Sequence, residues 1–137
     1  MLIQNNDRFV QPVYFDGMEI GKIHPTDIDS FIEYHNVLFV FWELKEQGKD
    51  FEQVRGQFTA LVRTVNRIEK GGGKAVLYVC EHNVPKDKPI HLADTIVVKA
   101  YWQGEWIAPN KTTTAKDAFF HAIDWANRFE QWERQNK

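Results

Sequence analysis

Two short stretches decide the fold: Pro25-Thr26-Asp27-Ile28-Asp29-Ser30-Phe31-Ile32 and, after a brief gap, Phe41-Trp42-Glu43-Leu44-Lys45. Acidic residues stand beside the first apolar run, and a Glu-x-Lys triplet ends the second. Side chains alternate between the two faces of a strand, so Glu43 and Lys45 share one face if residues 37–44 form a strand. The second stretch therefore predicts a carboxylate and an ammonium on one side of a sheet.

A tight turn between these stretches predicts how they meet. His35-Asn36 separates residues 28–34 from residues 37–44, and both segments are rich in the β-branched and aromatic residues that favour strands. Pairing them as a hairpin brings Asp29 close to the Glu-x-Lys triplet. Two carboxylates and an ammonium at one place suit the binding of a divalent metal and the activation of water against a phosphodiester.

A purely structural interpretation of these charges is the alternative. Glu-x-Lys triplets are common on solvated strands, and a Glu–Lys ion pair alone satisfies both charges. The run Phe39–Trp42 is apolar at every position, as in a strand buried on both faces. Charges at the end of such a strand need partners, because an unpaired buried charge is costly. The added acids Asp27 and Asp29 favour a metal site over a structural ion-pair network.

The arrangement resembles the PD-(D/E)xK nuclease superfamily, whose signature is an Asp opening one strand and a Glu/Asp-x-Lys on its neighbour. Glu43-Leu44-Lys45 matches the second half literally. The first half departs from the pattern, because Thr26 separates Pro25 from Asp27 and a second acid follows. Asp29 is the expected metal-binding aspartate, since it directly precedes the strand, and Asp27 is the alternative. The resemblance covers roughly residues 18 to 82.

The resemblance implies a role for each residue of the motif. Asp29, Glu43 and the backbone carbonyl of Leu44 would be ligands of Mg²⁺ or Mn²⁺. Lys45 would orient the attacking water or stabilise charge in the transition state. Some branches of the superfamily place a glutamine on the following helix, and Gln57 stands in a suitable position. These four side chains and one carbonyl form the predicted catalytic set.

The resemblance also implies a fold and a function. The expected fold is α/β (α+β), with a mixed central β-sheet flanked by helices and a restriction-endonuclease-like core. The expected function is that of a small Mg²⁺-dependent DNA endonuclease, phage-type or Holliday-junction-resolvase-like, acting as a homodimer. A non-catalytic nuclease-fold module that binds nucleic acid or a protein partner is the competing expectation.

Periodicity and turn residues predict the remaining elements. A short hairpin or an irregular strand around Asp16-Gly17 comes first, and one helix runs from a capping box at Asp50 and Gln53 to the glycines at 71–73. The later elements are a strand at 74–81, a hairpin of 95–102 and 105–107, and a helix from Ala115 to about Gln131 capped by Thr113 or Thr114. This order of strands and helix agrees with the superfamily core.

Size and charge narrow the function classes. A chain of 137 residues without linkers or repeats predicts a single domain spanning 1–137. The net charge of -2 argues mildly against nonspecific polyanion binding, although a local basic strip can still contact phosphates. The candidate strip lies on the helix between residues 50 and 70 and consists of Arg55, Arg63, Arg67 and Lys70; a merely solvated helix face is the alternative.

Other residue types exclude further classes. No apolar run is long enough for a membrane span, and no signal peptide is expected at the N-terminus. The single cysteine, Cys80, predicts a buried thiol and fits the reducing cytoplasm. The five histidines lack zinc-ligand spacing, although His24 and His82 could touch the acidic site. The late tryptophans are expected in the core or at a dimer contact; they are Trp102, Trp106, Trp125 and Trp132.

Overall fold

Five strands form one mixed sheet in the computed structural model, which describes residue 14 and residues 16–136. The strands lie in chain order: β1 (Ser30–Tyr34), β2 (Leu38–Glu46), β3 (Lys74–His82), β4 (Ile96–Trp102) and β5 (Glu105–Ile107). β2 and β3 run parallel, whereas the other neighbouring pairs are antiparallel. The predicted α+β class with a mixed sheet is therefore confirmed.

Helices cover both faces of this sheet. A short helix α1 (Phe51–Val54), a 3₁₀ turn (Arg55–Phe58) and α2 (Thr59–Lys70) pack on one face. The long helix α3 (Ala115–Gln135) packs on the other through small residues. A second 3₁₀ turn, Leu92–Asp94, precedes β4. No helix in the described part of the chain is long and apolar enough to cross a membrane.

The β1–β2 hairpin turns where the sequence predicts. His35 and Asn36 both adopt positive φ angles, 53° and 57°, as the two central residues of a tight hairpin turn require. The backbone N–H of Asn36 donates to the Glu33 carboxylate at 2.6 Å, which holds the turn closed. The resulting register sets Ser30 opposite Trp42.

β2 is buried on both faces, as its continuous apolar sequence predicts. Phe41 packs towards α1 and α2, while Val40 and Trp42 pack towards α3. Because side chains alternate, Glu43 and Lys45 continue the Phe41 side. Both charged side chains of the triplet therefore lie on the α2 face, beyond the apolar part of the strand.

The helix predicted from Asp50 to the glycines is interrupted. The 3₁₀ turn at Arg55–Phe58 divides it, and Asp50 precedes α1 without a side-chain capping bond, so the predicted capping box with Gln53 is wrong. Gly56, inside the 3₁₀ turn, disfavours a continuous α-helix. Packing decides the local geometry as well, because the Phe51 ring meets Trp106 edge-on at 4.9 Å between centroids.

Glycines end α2 as predicted. Gly72 takes a φ of 96°, a left-handed conformation that side-chain-bearing residues rarely adopt. Gly73 lies so close to the helix that a Cβ there would stand 2.9 Å from Cγ2 of Ile68. The chain therefore leaves α2 sharply and enters β3 beside β2.

Both ends of the chain differ from the sequence expectation. Ile20 and Ile23 form only an isolated bridge, so a strand over 18–23 is wrong, and the preceding strand at 12–15 lies mostly outside the described residues. α3 begins at Ala115 as predicted, and Thr114, one of the two predicted caps, accepts the N–H of Asp117 with its hydroxyl at 3.1 Å. It continues to Gln135, because no glycine or proline interrupts it.

Three of the late tryptophans pack inside the molecule. Trp102 meets Trp125 edge-on at 5.3 Å between ring centroids, and Trp106 packs on Phe51. Trp132 has 58% of its surface exposed. Core packing therefore accounts for most of the aromatic cluster. Cys80 is a buried free thiol, as predicted, and burial raises its pKa to about 12.

Candidate metal centre

Asp29 adds one more hydrogen bond between the two strands, just before the first residue of β1. β1 begins at Ser30, so no strand residue of β1 pairs with β2 beyond Trp42. Instead, the Oδ2 atom of Asp29 accepts the backbone N–H of Leu44 at 2.8 Å. The Asp29 carboxylate therefore lies against the triplet, at the sheet edge where the hairpin pattern predicts it.

Glu43 is a half-buried carboxyl group beside Asp29. Burial, a side-chain hydrogen bond with Asp29 and repulsion from the Asp29 charge raise its pKa from 4.5 to about 8. A backbone hydrogen bond at Asp29 lowers that pKa, and the Asp27 charge raises it slightly. At neutral pH the two neighbouring carboxyl groups therefore hold one proton between them.

One oxygen of Glu43 has no internal partner. The Oε1 atom is buried and accepts no hydrogen bond from the described residues. A buried polar atom without a partner carries a desolvation penalty, which a bound water or ion can relieve. This oxygen marks Glu43 as a group placed to contact something other than the chain itself.

The carbonyl of Leu44 lies on the Asp29 side of β2. In a strand, the N–H and C=O groups of one residue point to the same neighbour. Since the N–H of Leu44 points to Asp29, its carbonyl points towards the same edge, beyond the end of β1. Strand geometry therefore sets the Leu44 carbonyl on the same edge of β2 as Asp29.

The ammonium of Lys45 is directed to β3 instead. Its Nζ atom donates to Glu81 at 3.0 Å, to the Lys49 carbonyl at 2.7 Å and to the Glu46 carbonyl at 3.4 Å. The side chain is 7% exposed. Lys45 shares a face with Glu43, as predicted, but in this arrangement its charge is balanced by Glu81 and not by the Asp29–Glu43 pair.

The remaining predicted site residues lie further from the pair. Asp27 is exposed and acts on Glu43 only as the weakest of the five influences on its pKa. Gln57 is exposed on the 3₁₀ turn, and no hydrogen bond joins it to Asp29 or Glu43 in the described part of the chain. Of the two acids, Asp29 is the one in direct contact with the triplet.

The two histidines expected near the site, His24 and His82, have side-chain hydrogen bonds only with neighbouring backbone groups in the described part of the chain. The Nδ1 atom of His24 lies 3.0 Å from the carbonyl of Pro25, and Nδ1 of His82 accepts the N–H of Val84 at 3.2 Å. Within residues 16–136, no three His, Cys, Asp or Glu side chains form a group that could hold a metal ion. A metal ion at this edge would therefore have at most the two carboxylates and the Leu44 carbonyl as protein donors among the described residues.

This donor set fits a hard divalent cation. Mg²⁺ is held in proteins by one or two carboxylates and keeps several of its waters, so it does not need three acidic side chains. The unpartnered Oε1 of Glu43 supplies an available oxygen, and the proton shared with Asp29 would be replaced by the cation. The residues present are compatible with Mg²⁺ or Mn²⁺.

Glu81 is the residue that the sequence reasoning missed. It occupies the position of β3 opposite Lys45 and provides that ammonium with its only carboxylate partner among the described residues. A signal existed, because an acid follows the apolar run of β3 just as Glu43 follows that of β2. The carboxyl ends of parallel strands meet at one edge, so this acid could have been placed near the triplet.

Comparison with protein-family models, curated proteins and solved structures finds no match to this chain. The geometry of the sheet edge therefore carries the functional argument.

Proposed function

We propose that this protein is a Mg²⁺-dependent DNA endonuclease that hydrolyses phosphodiester bonds. The observation that carries the proposal is the Asp29–Glu43 carboxyl pair, with its raised pKa at Glu43 and an unpartnered buried oxygen. The pair has no cationic partner in the described chain, since the nearby ammonium of Lys45 bonds to Glu81. A divalent cation would balance it.

The chain's own residues would hold the metal and shape the site. Oδ2 of Asp29 already accepts the N–H of Leu44, which fixes the carboxylate against β2, where it would bind the cation. Glu43 would contribute Oε1, and Leu44 its carbonyl. A bound Mg²⁺ at such a site lowers the pKa of a coordinated water and polarises a phosphate oxygen.

Lys45 would act on the phosphate as a positive charge. It lies two residues beyond Glu43 on the same face, about 7 Å along the strand. An ammonium placed there can stabilise the extra negative charge of the transition state, where such contacts contribute most. Gln57, on the helical side of the same face, would hydrogen-bond the attacking water or the substrate.

Exposed basic residues on α2 support a nucleic-acid substrate. Arg63, Arg67 and Lys70 are exposed on α2, which packs on the same sheet face that carries Glu43. Phosphate contacts from such residues supply most of the affinity for DNA. The strip runs towards the end of the sheet where Glu69 pairs with Lys74, so a DNA substrate would extend from the carboxyl pair along α2 to contact it.

The proposed enzyme would be a resolvase-like homodimer. A resolvase-like enzyme that cuts two strands works most simply as a homodimer with two sites related by a twofold axis. The exposed Trp132 on α3 offers apolar surface for such a contact.

The alternative is a non-catalytic nuclease-fold module that binds nucleic acid or a protein partner. The burial of Lys45 and its three hydrogen bonds favour this alternative, because the ammonium would have to release one of its partners to donate to a phosphate. Binding of DNA without cleavage would support the module.

Cleavage of a panel of single-stranded, duplex, flapped and four-way DNA in Mg²⁺ tests the proposal. Wild type should cleave at least one substrate, and EDTA should abolish cleavage. Glu43→Gln should lose about a hundredfold or more of the rate, because it removes a charged ligand while preserving shape. Glu105→Gln, on β5 at the opposite edge, is the matched control and should retain the wild-type rate. Equal rates in wild type and Glu43→Gln would reject the site.

A further inference from the structure

We propose that Glu81 is the positioning residue that fixes Lys45 for phosphodiester cleavage. This inference rests on the proposed endonuclease function and adds to it a residue outside the Asp/Glu-x-Lys motif. Glu81 would not touch the substrate itself. It would act through the ammonium of Lys45.

The two side chains are brought together by the parallel pairing of β2 and β3. Lys45 and Glu81 are direct register partners, and both project from the α2 face of the sheet. Their charged atoms lie 3.0 Å apart, with 7% of the lysine side chain and 24% of the glutamate side chain exposed. A pair so shielded from water is screened less than a surface ion pair.

The other contacts of Lys45 leave one donor only weakly engaged. The Lys49 carbonyl, in the loop after β2, accepts a strong hydrogen bond at 2.7 Å. The contact with the Glu46 carbonyl is long, at 3.4 Å. Glu81 and Lys49 therefore anchor the ammonium from two sides, and its third N–H can exchange to a phosphate oxygen without releasing either anchor.

Anchoring matters because lysine is flexible. The side chain has four rotatable bonds and binds as a point charge with no preferred plane. A reacting group misplaced by about 1 Å can lose about a hundredfold in rate. Without Glu81 the ammonium would lie nearly buried with no carboxylate partner, and it would reorient to find one.

A second ion pair on β3 provides a matched control. Lys74, at the first residue of β3, pairs with Glu69 at 3.6 Å, and the exposed fractions are 29% and 22%. The glutamates of the two pairs are similarly buried, whereas Lys74 is more exposed than Lys45, and Lys74 lies at the opposite end of β3 from Glu81. Breaking it should affect stability without affecting the reaction.

Single-turnover cleavage in saturating Mg²⁺ tests the proposal with Glu81→Ala, Glu81→Gln and Glu69→Ala. Glu81→Ala should lower the rate at saturating DNA about tenfold or more, as for other lost positioning contacts, and change the Kd for DNA less than twofold. Glu81→Gln keeps an acceptor oxygen and should recover part of the rate. Glu69→Ala should cleave at the wild-type rate.

Chemical labelling of amines gives a readout that does not depend on cleavage. In wild type, Lys45 should react more slowly than the exposed Lys49, as quantified by mass spectrometry of the labelled peptides. Glu81→Ala should raise the labelling rate of Lys45 at least about fivefold, since rates follow exposure of the free amine. Glu69→Ala should leave the labelling rate of Lys45 unchanged.

The outcomes distinguish a failure of the positioning role of Glu81 from a failure of the endonuclease function. If wild type cleaves and Glu81→Ala is as fast or faster at saturating DNA, the positioning role is overturned while the endonuclease function stands. An unchanged labelling rate of Lys45 in Glu81→Ala also overturns it. If wild type cleaves no DNA in Mg²⁺, both the function and the positioning role fall.

Discussion

Glu43 holds a proton at neutral pH because it lies half-buried beside Asp29. Burial and the neighbouring carboxylate both disfavour its charged form, and the raised pKa of about 8 expresses their sum. A cation bound beside Glu43 would favour its charged form and so oppose the effects of burial and of the Asp29 charge. The protonation of Glu43 and its response to a cation can therefore be tested without DNA.

The stability of the metal-free protein should fall as pH rises from about 4.5 to about 8. In this window unfolded Glu43 is ionised whereas folded Glu43 retains its proton, so deprotonation favours unfolding. Glu43→Gln cannot ionise, and it should gain on the order of 1 kcal/mol or more relative to wild type between pH 4.5 and pH 8.5. Urea unfolding at the two pH values in EDTA measures this difference. Parallel pH dependences in the two proteins would refute the raised pKa.

Lys45→Ala should abolish cleavage while leaving metal binding largely intact. A charge placed for the transition state contributes little to binding in the ground state, so the expected loss is about a hundredfold or more in rate. Since Lys45 also bonds Glu81 and Lys49, the variant should unfold at a lower temperature. Rates compared well below that temperature separate the two effects. Near-wild-type cleavage would show that Lys45 is structural.

At the scale of the element, local sequence signals predicted most of the structure. The His35-Asn36 turn, the Gln103-Gly104 turn and the helix start at Thr114 each depend on a few neighbouring residues, and all three are confirmed. The prediction that failed inside the fold was the unbroken helix after Asp50. There Gly56 and the packing of Phe51 on Trp106 override an apolar periodicity that fits one continuous helix.

Strand alternation and the hairpin predicted only part of the candidate site. The alternation of side chains along β2 predicted that Glu43 and Lys45 share one face, and the hairpin predicted that Asp29 lies beside the triplet. The direction of the Lys45 ammonium was not predictable, because it depends on Glu81, which is 36 residues further along the chain. Because the side-chain conformation of Lys45 depends on a residue of another strand, no pattern in the sequence around Lys45 indicates it.

Gly72→Ala should destabilise the protein by about 1 kcal/mol, because alanine is strained at the φ of 96° that ends α2. Gly71→Ala is the control, since Gly71 has a negative φ and the Cβ would make only ordinary contacts. Urea unfolding of both variants gives the comparison. Equal stability of the two variants would show that the left-handed cap contributes nothing to the fold.

At the scale of the whole molecule, the sheet places the carboxyl ends of β2 and β3 together and covers both faces with helices. The charged residues of the proposed site therefore lie at one edge, with the basic residues of α2 on the same face. The association surface is less well defined than the sequence predicts, because Trp102, Trp106 and Trp125 pack internally. Trp132 is the exposed member of the four.

The protein should form a dimer through α3, and Trp132→Ala should weaken it. Light scattering at micromolar concentration measures the mass, and the expected value is twice the 16.1 kDa of one chain. Phe120→Ala, also exposed on α3, tests whether the contact extends along the helix. A monomer in the presence and absence of DNA would exclude the twofold arrangement and favour cleavage of one strand at a time.

Binding of Mn²⁺ measured by calorimetry at pH 7 tests most directly whether the Asp29–Glu43 pair is a metal site. Wild type should bind Mn²⁺ and release about one proton, measured in buffers of different ionisation enthalpy, because the cation replaces the proton of the pair. Glu43→Gln and Asp29→Asn should each weaken binding at least about tenfold, whereas Asp27→Asn should change it little. Equal Mn²⁺ affinity in wild type and Glu43→Gln, with no proton released, would contradict the account.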